Sequence, residues 1–302
     1  MAGLHINAGW NFKWTNEEDE IIRKYYPKNG ANAVHEILPN RELKSIQQRA
    51  FKLGVKYLQY NKEFFDKIDT IEKAYWLGFL YADGYVTHDN RWGVELGYRD
   101  YNHLQNLLNA FGYNGDLKTR ERNGVVSCSF TINNKQMTSS LISNGVVPNK
   151  TYCLEFPNVD IVSKNLLSHF IRGFFDGDGC VYLTRNKRPR KDRGNKIYER
   201  ICKGINFVCK SESFTNDLIR ILNDNGINLR CTINKRDNLY TITTSAIDEI
   251  EKFYNYIYQD SNPNIRLERK FNKFNEIFNA TANSDVSVKS RERRNLRCTL
   301  HD

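Results

Sequence analysis

The sequence predicts an α+β protein in which two similar units, each with an antiparallel sheet, follow a small all-helical module. Three observations carry this. Two stretches, AYWLGFLYADGYV at 74–86 and HFIRGFFDGDGCV at 169–181, share an apolar run that ends in a carboxylate and a glycine. After each comes the same alternation of strand-like and helix-like sequence, the mark of an internal repeat. The chain before residue 61 lacks that pattern and reads as short helices.

These signals divide the chain into a helical module at 1–60, repeats at 61–160 and 161–278, and a flexible basic tail at 279–302. The tail opens on small polar residues and closes on arginines. In the module, Thr15 is placed to cap a helix, and Glu17, Glu18 and Asp19 suit the positive end of its dipole. Further helices are predicted at 31–38 and 44–53, the last stopped by Gly54.

Each repeat begins with its apolar helix and continues into strands. An amphipathic helix follows and closes at Gly112 or Gly226, with Leu104, Leu107 and Leu108 matching Leu218, Ile221 and Leu222 at helical spacing. Two more strands come next, parted by Asn123-Gly124 in the first repeat and Asp237-Asn238 in the second. Asn-Gly predicts a two-residue hairpin turn, because both central residues need positive φ. A final helix completes an αββαββα unit, and two such units in one chain suggest a pseudo-twofold molecule.

The repeats differ mainly in length. Asp83 to Gly112 spans 29 positions, whereas Asp178 to Gly226 spans 48. The excess falls on TRNKRPRKDRGNKIYERICK (184–203), with nine Lys or Arg against two acids. This is a positively charged hairpin or loop, and Pro189 with Gly194 favours a flexible loop. Such crowding costs self-repulsion that a phosphate backbone would relieve, and the net charge of +10 points the same way. The candidate contacts here are Arg185, Lys187, Arg188, Arg190, Lys191 and Arg193.

Several classes are excluded. The longest apolar run, 74–82, has nine residues, and a membrane span needs about 20. No secretory signal is visible. The seven cysteines are odd in number and contain no C-x-x-C pair, which argues against structural zinc and a disulfide framework. An intracellular, reducing compartment is expected. DGDGCVYLTRNK resembles an EF-hand start, but Val181 and Lys187 stand where that loop needs Gly and Glu.

The chemistry lies at the ends of the apolar helices. Gly78 and Ala82, like Gly173 and Gly177, recur four residues apart and share one helix face, where small residues let two helices approach closely. If those faces pack together, Ala82-Asp83-Gly84 meets Gly177-Asp178-Gly179, and Asp83 sits beside Asp178. Two carboxylates that close repel unless a cation lies between them. Hard oxygen donors with open positions suit Mg²⁺, which can activate water and stabilise the leaving 3′ oxygen of a phosphodiester.

WLGFLYADG (76–84) and IRGFFDGDG (171–179) resemble the paired LAGLIDADG motifs of single-chain homing endonucleases, and the repeat that carries them covers 61–278. The resemblance implies that Asp83 and Asp178 bind catalytic metal ions, with Ala82 and Gly177 in the same site. It also implies that the sheets form a saddle in the major groove of double-stranded DNA, and that a monomer cuts each strand across the minor groove. Lys210 falls where the family often has a polar residue near the attacking water; its first-repeat counterpart lies close to Glu95 and Leu96. Lys150 and Lys270 resemble the family's central lysines, near the scissile phosphates. The first motif departs at its sixth position, with Tyr81 where the second has Asp176. The aromatics Trp76, Phe79, Phe174 and Phe175 are adequately explained as core.

From Trp14 to Gly54 the module resembles Myb-like helix-turn-helix domains. KSIQQRAFKLG would be its recognition helix, with Ser45, Gln47, Gln48, Arg49 and Lys52 offered to DNA and Ile46, Ala50 and Leu53 turned inward. A tri-helical module also suits a protein partner. The expected activity is Mg²⁺-dependent, site-specific cleavage of both DNA strands. The rival is a non-catalytic nucleic-acid binder of the same fold, an intron RNA maturase or a transcription regulator.

Overall fold

The computed structural model describes residues 13–190, 194 and 196–282. The chain forms two compact units. One runs to Tyr60 and includes Gly112–Gly115; the other takes Asn61–Phe111 and the chain from Asp116 on.

In the first unit, α1 (Asn16–Ile37) opens on a reciprocal cap. The Glu18 amide donates to the Thr15 hydroxyl, and the Thr15 amide donates to the Glu18 carboxylate at 2.9 Å. Gly30, at φ 73, divides α1 into two helical segments. α2 (Leu43–Lys52) stops before Gly54, whose φ of 67 suits a residue without a Cβ. Ile22, Val34, Ile46 and Ala50 are fully buried, with Trp14, Leu38 and Leu53 packed against them.

The second unit holds both repeats. The first is α3 (Ile71–Ala82), β1 (Gly84–Val86), β2 (Arg91–Gly97), α4 (Tyr101–Ala110), β3 (Lys118–Arg122), β4 (Val125–Asn133) and α5 (Lys135–Ser143). The second is α6 (Leu167–Asp178), β5 (Cys180–Arg190), β6 (Lys196–Cys209), α7 (Glu212–Asp224), β7 (Arg230–Asn234), β8 (Leu239–Thr244) and α8 (Ile247–Tyr258). Both sheets are antiparallel and share one topology, β1-β2-β4-β3 and β5-β6-β8-β7. The αββαββα order is therefore present twice. A further helix, α9 (268–282), continues four residues beyond where the tail was expected to begin; residues 283–302 of that tail lie outside the described residues.

Alternation sets what faces the helices. Trp92, Val94, Cys128, Phe130 and Ile132 are buried on one side of the first sheet, and Ile205, Phe207 and Ile242 on one side of the second. Leu104, Leu107, Leu108, Leu218, Ile221 and Leu222 are buried as their spacing predicts, as are Trp76, Phe79, Phe174 and Phe175. Side chains of Thr70, Asn134 and Ser211 cap α3, α5 and α7. Asn123 and Gly124 both have positive φ, 52 and 76, and join β3 to β4 in the expected two-residue turn. The corresponding turn of the second repeat is longer: Asn234 pairs with Leu239, and four residues lie between them. Among the described residues no helix is long and apolar enough to cross a membrane.

The basic insertion is not a loop. β5 and β6 pair continuously from Cys180–Asn206 to Arg190–Lys196, so residues 184–190 and 196–203 form most of a two-stranded ribbon. Pro189 sits within β5 opposite Ile197. It is tolerated because β5 is an edge strand, where a missing N–H need not break a ladder.

Candidate active site

α3 and α6 pack backbone against backbone. A methyl group on Gly78 would overlap the carbonyl of Phe170, and one on Gly173 would overlap the carbonyl of Tyr75. Near the C-terminal ends, a Cβ on Gly177 would overlap that of Ala82 and lie 3.1 Å from Asp83 Oδ2. The four small residues expected at a helix interface thus lie at one. Their contact brings the Asp83 carboxylate against the residue that precedes Asp178.

Asp83 is half-buried, and Asp178, although exposed at its surface, sits on a crowded helix end. Burial raises the pKa of Asp83, and the neighbouring charge of Asp178 raises it further, to about 6. Burial also raises Asp178, opposed by the ammonium groups of Lys150 and Lys270. Among the described residues no third histidine, cysteine or carboxylate joins them as a metal cluster. The pair still fits a hard divalent cation of the Mg²⁺ type, which takes one or two carboxylates and fills its shell with water and phosphate oxygens. Such an ion would offset both the burial and the neighbouring Asp178 charge that hold Asp83 high.

Lys150 and Lys270 grip the same helix ends. Lys150 donates to the carbonyl of Gly84. Lys270 is buried and donates to the carbonyls of Phe175 (2.7 Å), Asp176 (2.7 Å), Gly177 (3.0 Å) and Gly179 (2.5 Å). A cation at a helix C-terminus meets unpaired carbonyls and the negative end of the dipole. Burial pulls Lys270 down to about 8, with Asp176 acting against that shift. The Gly177 carbonyl, placed in the metal site on the sequence, therefore already accepts from Lys270.

Lys210 follows Cys209 at the end of β6, and the charge of Asp178 acts on the Cys209 thiol. The Lys210 ammonium lies 3.2 Å from the Tyr152 hydroxyl, and the cations that act on Asp178 are Lys150 and Lys270. Its counterpart, expected close to Glu95 and Leu96, is the next residue along. Tyr85 pairs with Gly93 and Cys180 with Asn206; since Tyr85 and Cys180 each lie two residues past their aspartate, Lys210 falls at the level of Gly97. The first repeat has no side chain there.

The sixth motif position turns out to be structural in both repeats. Asp176 is buried and accepts hydrogen bonds from Tyr75 (2.8 Å), Tyr258 (3.2 Å) and the Leu267 amide (2.7 Å). Tyr81 instead donates to the Asn144 carbonyl at 2.7 Å. Beside Asp176 the fully buried Arg172 donates to the carbonyls of Ile257 and Ile265. Sequence reasoning missed this network; a carboxylate and an arginine inside an apolar helix were its one visible sign.

In the first unit, Gln47, Gln48 and Lys52 are exposed and Ser45 is half-buried on α2. Arg49 departs from the expected role. Its guanidinium holds Asp19 through two bonds, at 2.7 and 2.5 Å, and so ties α2 to α1. Arg41 does the same with Glu18 while lying 4.4 Å from the Trp14 ring. Phe51, unremarked in the sequence, is 86% exposed on α2. On the ribbon, Arg185 and Lys187 are exposed. Arg188 and Arg190 lie within β5, and Lys191 and Arg193 lie outside the described residues.

Two family models match this chain. One, the LAGLIDADG-like domain, covers residues 165–258; the other, the WhiA LAGLIDADG-like domain, covers 72–130. The chain carries two LAGLIDADG-like domains. The matched ranges fall inside the two repeats, and the helices that bring Asp83 and Asp178 together are α3 of one domain and α6 of the other. A comparison with curated proteins gives no match. Among solved structures, similarity extends to the I-LtrWI LAGLIDADG homing endonuclease bound to target DNA, at 14% identity and a TM-score of 0.49 over 74% of this chain and 93% of that one. The I-AabMI LAGLIDADG meganuclease bound to uncleaved DNA is similar at 12% identity and a TM-score of 0.47, over 72% and 92%. The I-SmaMI LAGLIDADG homing endonuclease bound to cleaved DNA is similar at 11% and 0.47, over the same shares.

Proposed function

We propose that this chain is a site-specific endonuclease that hydrolyses both strands of a long, pseudo-palindromic DNA duplex. The observation that carries the reading is the meeting of two carboxylates, Asp83 and Asp178, at the joined ends of α3 and α6. A mere binder gains nothing from holding two acids side by side. Bound there, Mg²⁺ would supply a nucleophilic water and charge stabilisation for the leaving 3′ oxygen. The protein's own part is to fix the two carboxylates and to hold the helix ends through Lys150 and Lys270.

The duplex would lie along both sheets, with the β5–β6 ribbon in contact with its backbone and the helical unit engaging one flank through Gln47, Gln48 and Lys52. A monomer suffices, since both halves of the site come from one chain. A second reading, a nucleic-acid binder without catalysis such as an intron RNA maturase or a transcription regulator, is favoured by one observation: the first domain matches the WhiA LAGLIDADG-like model. The two separate cleanly in one experiment. The protein is incubated with a randomised duplex library with and without Mg²⁺, and double-strand ends are sequenced. Endonuclease action yields a single long consensus that depends on the metal; binding without breakage supports the second reading.

A further inference from the structure

In the helical unit, α2 turns one face inward and leaves the other bare. Ile46 and Ala50 are fully buried, and the Arg49–Asp19 clamp fixes the helix about its own axis. The opposite face carries two ridges at the four-residue helical spacing, Leu43–Gln47–Phe51 and Lys44–Gln48–Lys52, and all six residues are exposed. None of these side chains makes a hydrogen bond, ion pair or ring contact among the described residues. Phe51 lies at the middle of this face, one helical turn past Gln47 and flanked by Lys44 on its other side.

Phe51 is 86% exposed, whereas every other phenylalanine among the described residues is buried or half-buried. A single exposed apolar residue is ordinary on a protein surface; its company here is not. α2 holds three cations, Lys44, Arg49 and Lys52, and no acid. Its bare face joins two ammonium groups, which suit phosphates, to two carboxamides and an aromatic ring, which suit base edges. In the major groove a carboxamide pairs with adenine N6 and N7, and an apolar side chain meets the C5 methyl of thymine. A protein partner would ask for a contiguous apolar patch, and Gln47 parts Phe51 from Leu43.

Resting on the reading in which the helical unit engages one flank of the duplex, we propose that Phe51 is a specificity-determining residue. Its ring reads the C5 methyl of one thymine in the major groove, close to an adenine held by Gln47 or Gln48. The rise over four helical residues is about 6 Å, against about 3.4 Å per base pair. Ring and carboxamide therefore meet base pairs one or two steps apart. Lys44 and Lys52 take the phosphates that border the groove. Among the four unmodified bases only thymine offers this methyl, so the flank adds sequence preference as well as affinity.

The test uses the full chain in EDTA to select bound duplexes from a randomised library and to footprint the consensus. Each thymine inside the footprint is then replaced in turn by deoxyuridine, which lacks only the methyl. Affinities of wild type, F51A and the conservative F51L are measured on every duplex. Because Phe51 is exposed, the three proteins should melt together. At one thymine, loss of the methyl should cost wild type about fourfold in affinity, the worth of one buried methyl. F51A should bind the parent duplex at least about fourfold more weakly and be indifferent to that replacement, while answering all the others as wild type does; F51L should keep the preference. F51A binding as tightly as wild type, or keeping every thymine preference, overturns the proposal and leaves the ring to a protein partner. Selection that yields no consensus overturns it too. A methyl preference in a protein that cuts no duplex in Mg²⁺ speaks against the endonuclease reading alone.

Discussion

Asp83 Oδ2 lies 3.1 Å from the point at which a side chain on Gly177 would begin. The carboxylate of one domain is thus packed against the motif of the other. This fit depends on the absence of side chains along the whole α3–α6 seam, where Gly78 and Gly173 touch backbone rather than flexible side-chain tips.

Gly173→Ala should therefore be costly. The added methyl meets the Tyr75 carbonyl, and neither backbone can yield without parting the helices. We expect a loss of at least about 1–3 kcal/mol in stability, the usual cost of overpacking, together with loss of any activity that needs Asp83 beside Asp178. Urea unfolding monitored by circular dichroism checks the first effect. A stability equal to wild type would contradict the packing described.

The raised pKa of Asp83 gives a pH dependence of definite sign. Between its ordinary value of 3.8 and about 6, the folded protein holds a proton that the unfolded chain has released. Metal-free protein should accordingly gain stability as pH falls from above 6 towards 4, by up to about 3 kcal/mol from this group. Asp83→Asn should raise the metal-free melting temperature at pH 7 and flatten its rise towards acid pH. Melting curves at pH 5, 6 and 7 measure this, and a variant that keeps the wild-type slope would count against the carboxylate pair.

Lys270 and Lys150 should separate on substitution. Removing Lys270 takes the ammonium from four carbonyls, of which only that of Phe175 keeps a second donor, the Gly179 amide, among the described bonds, so Lys270→Met should lower stability by about 3 kcal/mol or more. Lys150→Met removes a single bond to Gly84 and should cost about 1–2 kcal/mol. Chemical denaturation ranks the two. A larger loss for Lys150 would show that the helix ends are not held as described.

The helical unit should contribute reach rather than chemistry. Removing residues 1–60 is expected to shorten the protected DNA at one end and leave the cut position unchanged. Within it, Gln47→Ala and Gln48→Ala should weaken DNA binding without affecting folding. Arg49→Ala should instead loosen α2 from α1 by breaking the Asp19 clamp. Footprints of the deletion, and melting of the isolated substitutions in the full chain, distinguish these effects.

Local pattern revealed much of this architecture. Helical spacing identified Leu104, Leu107 and Leu108 as core, Asn123-Gly124 marked a hairpin, and Thr15 with Glu18 marked a cap. The small residues along α3 and α6 were legible because each motif repeats the same four-residue spacing. What stayed hidden depends on partners distant in sequence. Asp176 is satisfied by groups 82, 91 and 101 residues away, and Arg49 by an acid 30 residues before it. The resemblance singled out Lys270, but its hold on the carbonyls at the end of α6, more than 90 residues earlier, leaves no local mark in the sequence. Pro189 suggested a loop because its neighbours gave no sign that its strand would lie at a sheet edge. With a strand in place of that loop, base reading by Arg185 and Lys187 becomes as natural a role as phosphate contact.

The most direct test of the central claim uses a duplex selected from the randomised library, with both strands end-labelled. Wild type, D83N and D178N are incubated with it in Mg²⁺ and, separately, in EDTA. The account predicts that wild type breaks both strands in Mg²⁺ alone, and that neither variant completes the double-strand break although each binds the duplex with nearly wild-type affinity. Complete cutting of both strands by either variant, or by wild type in EDTA, would contradict it.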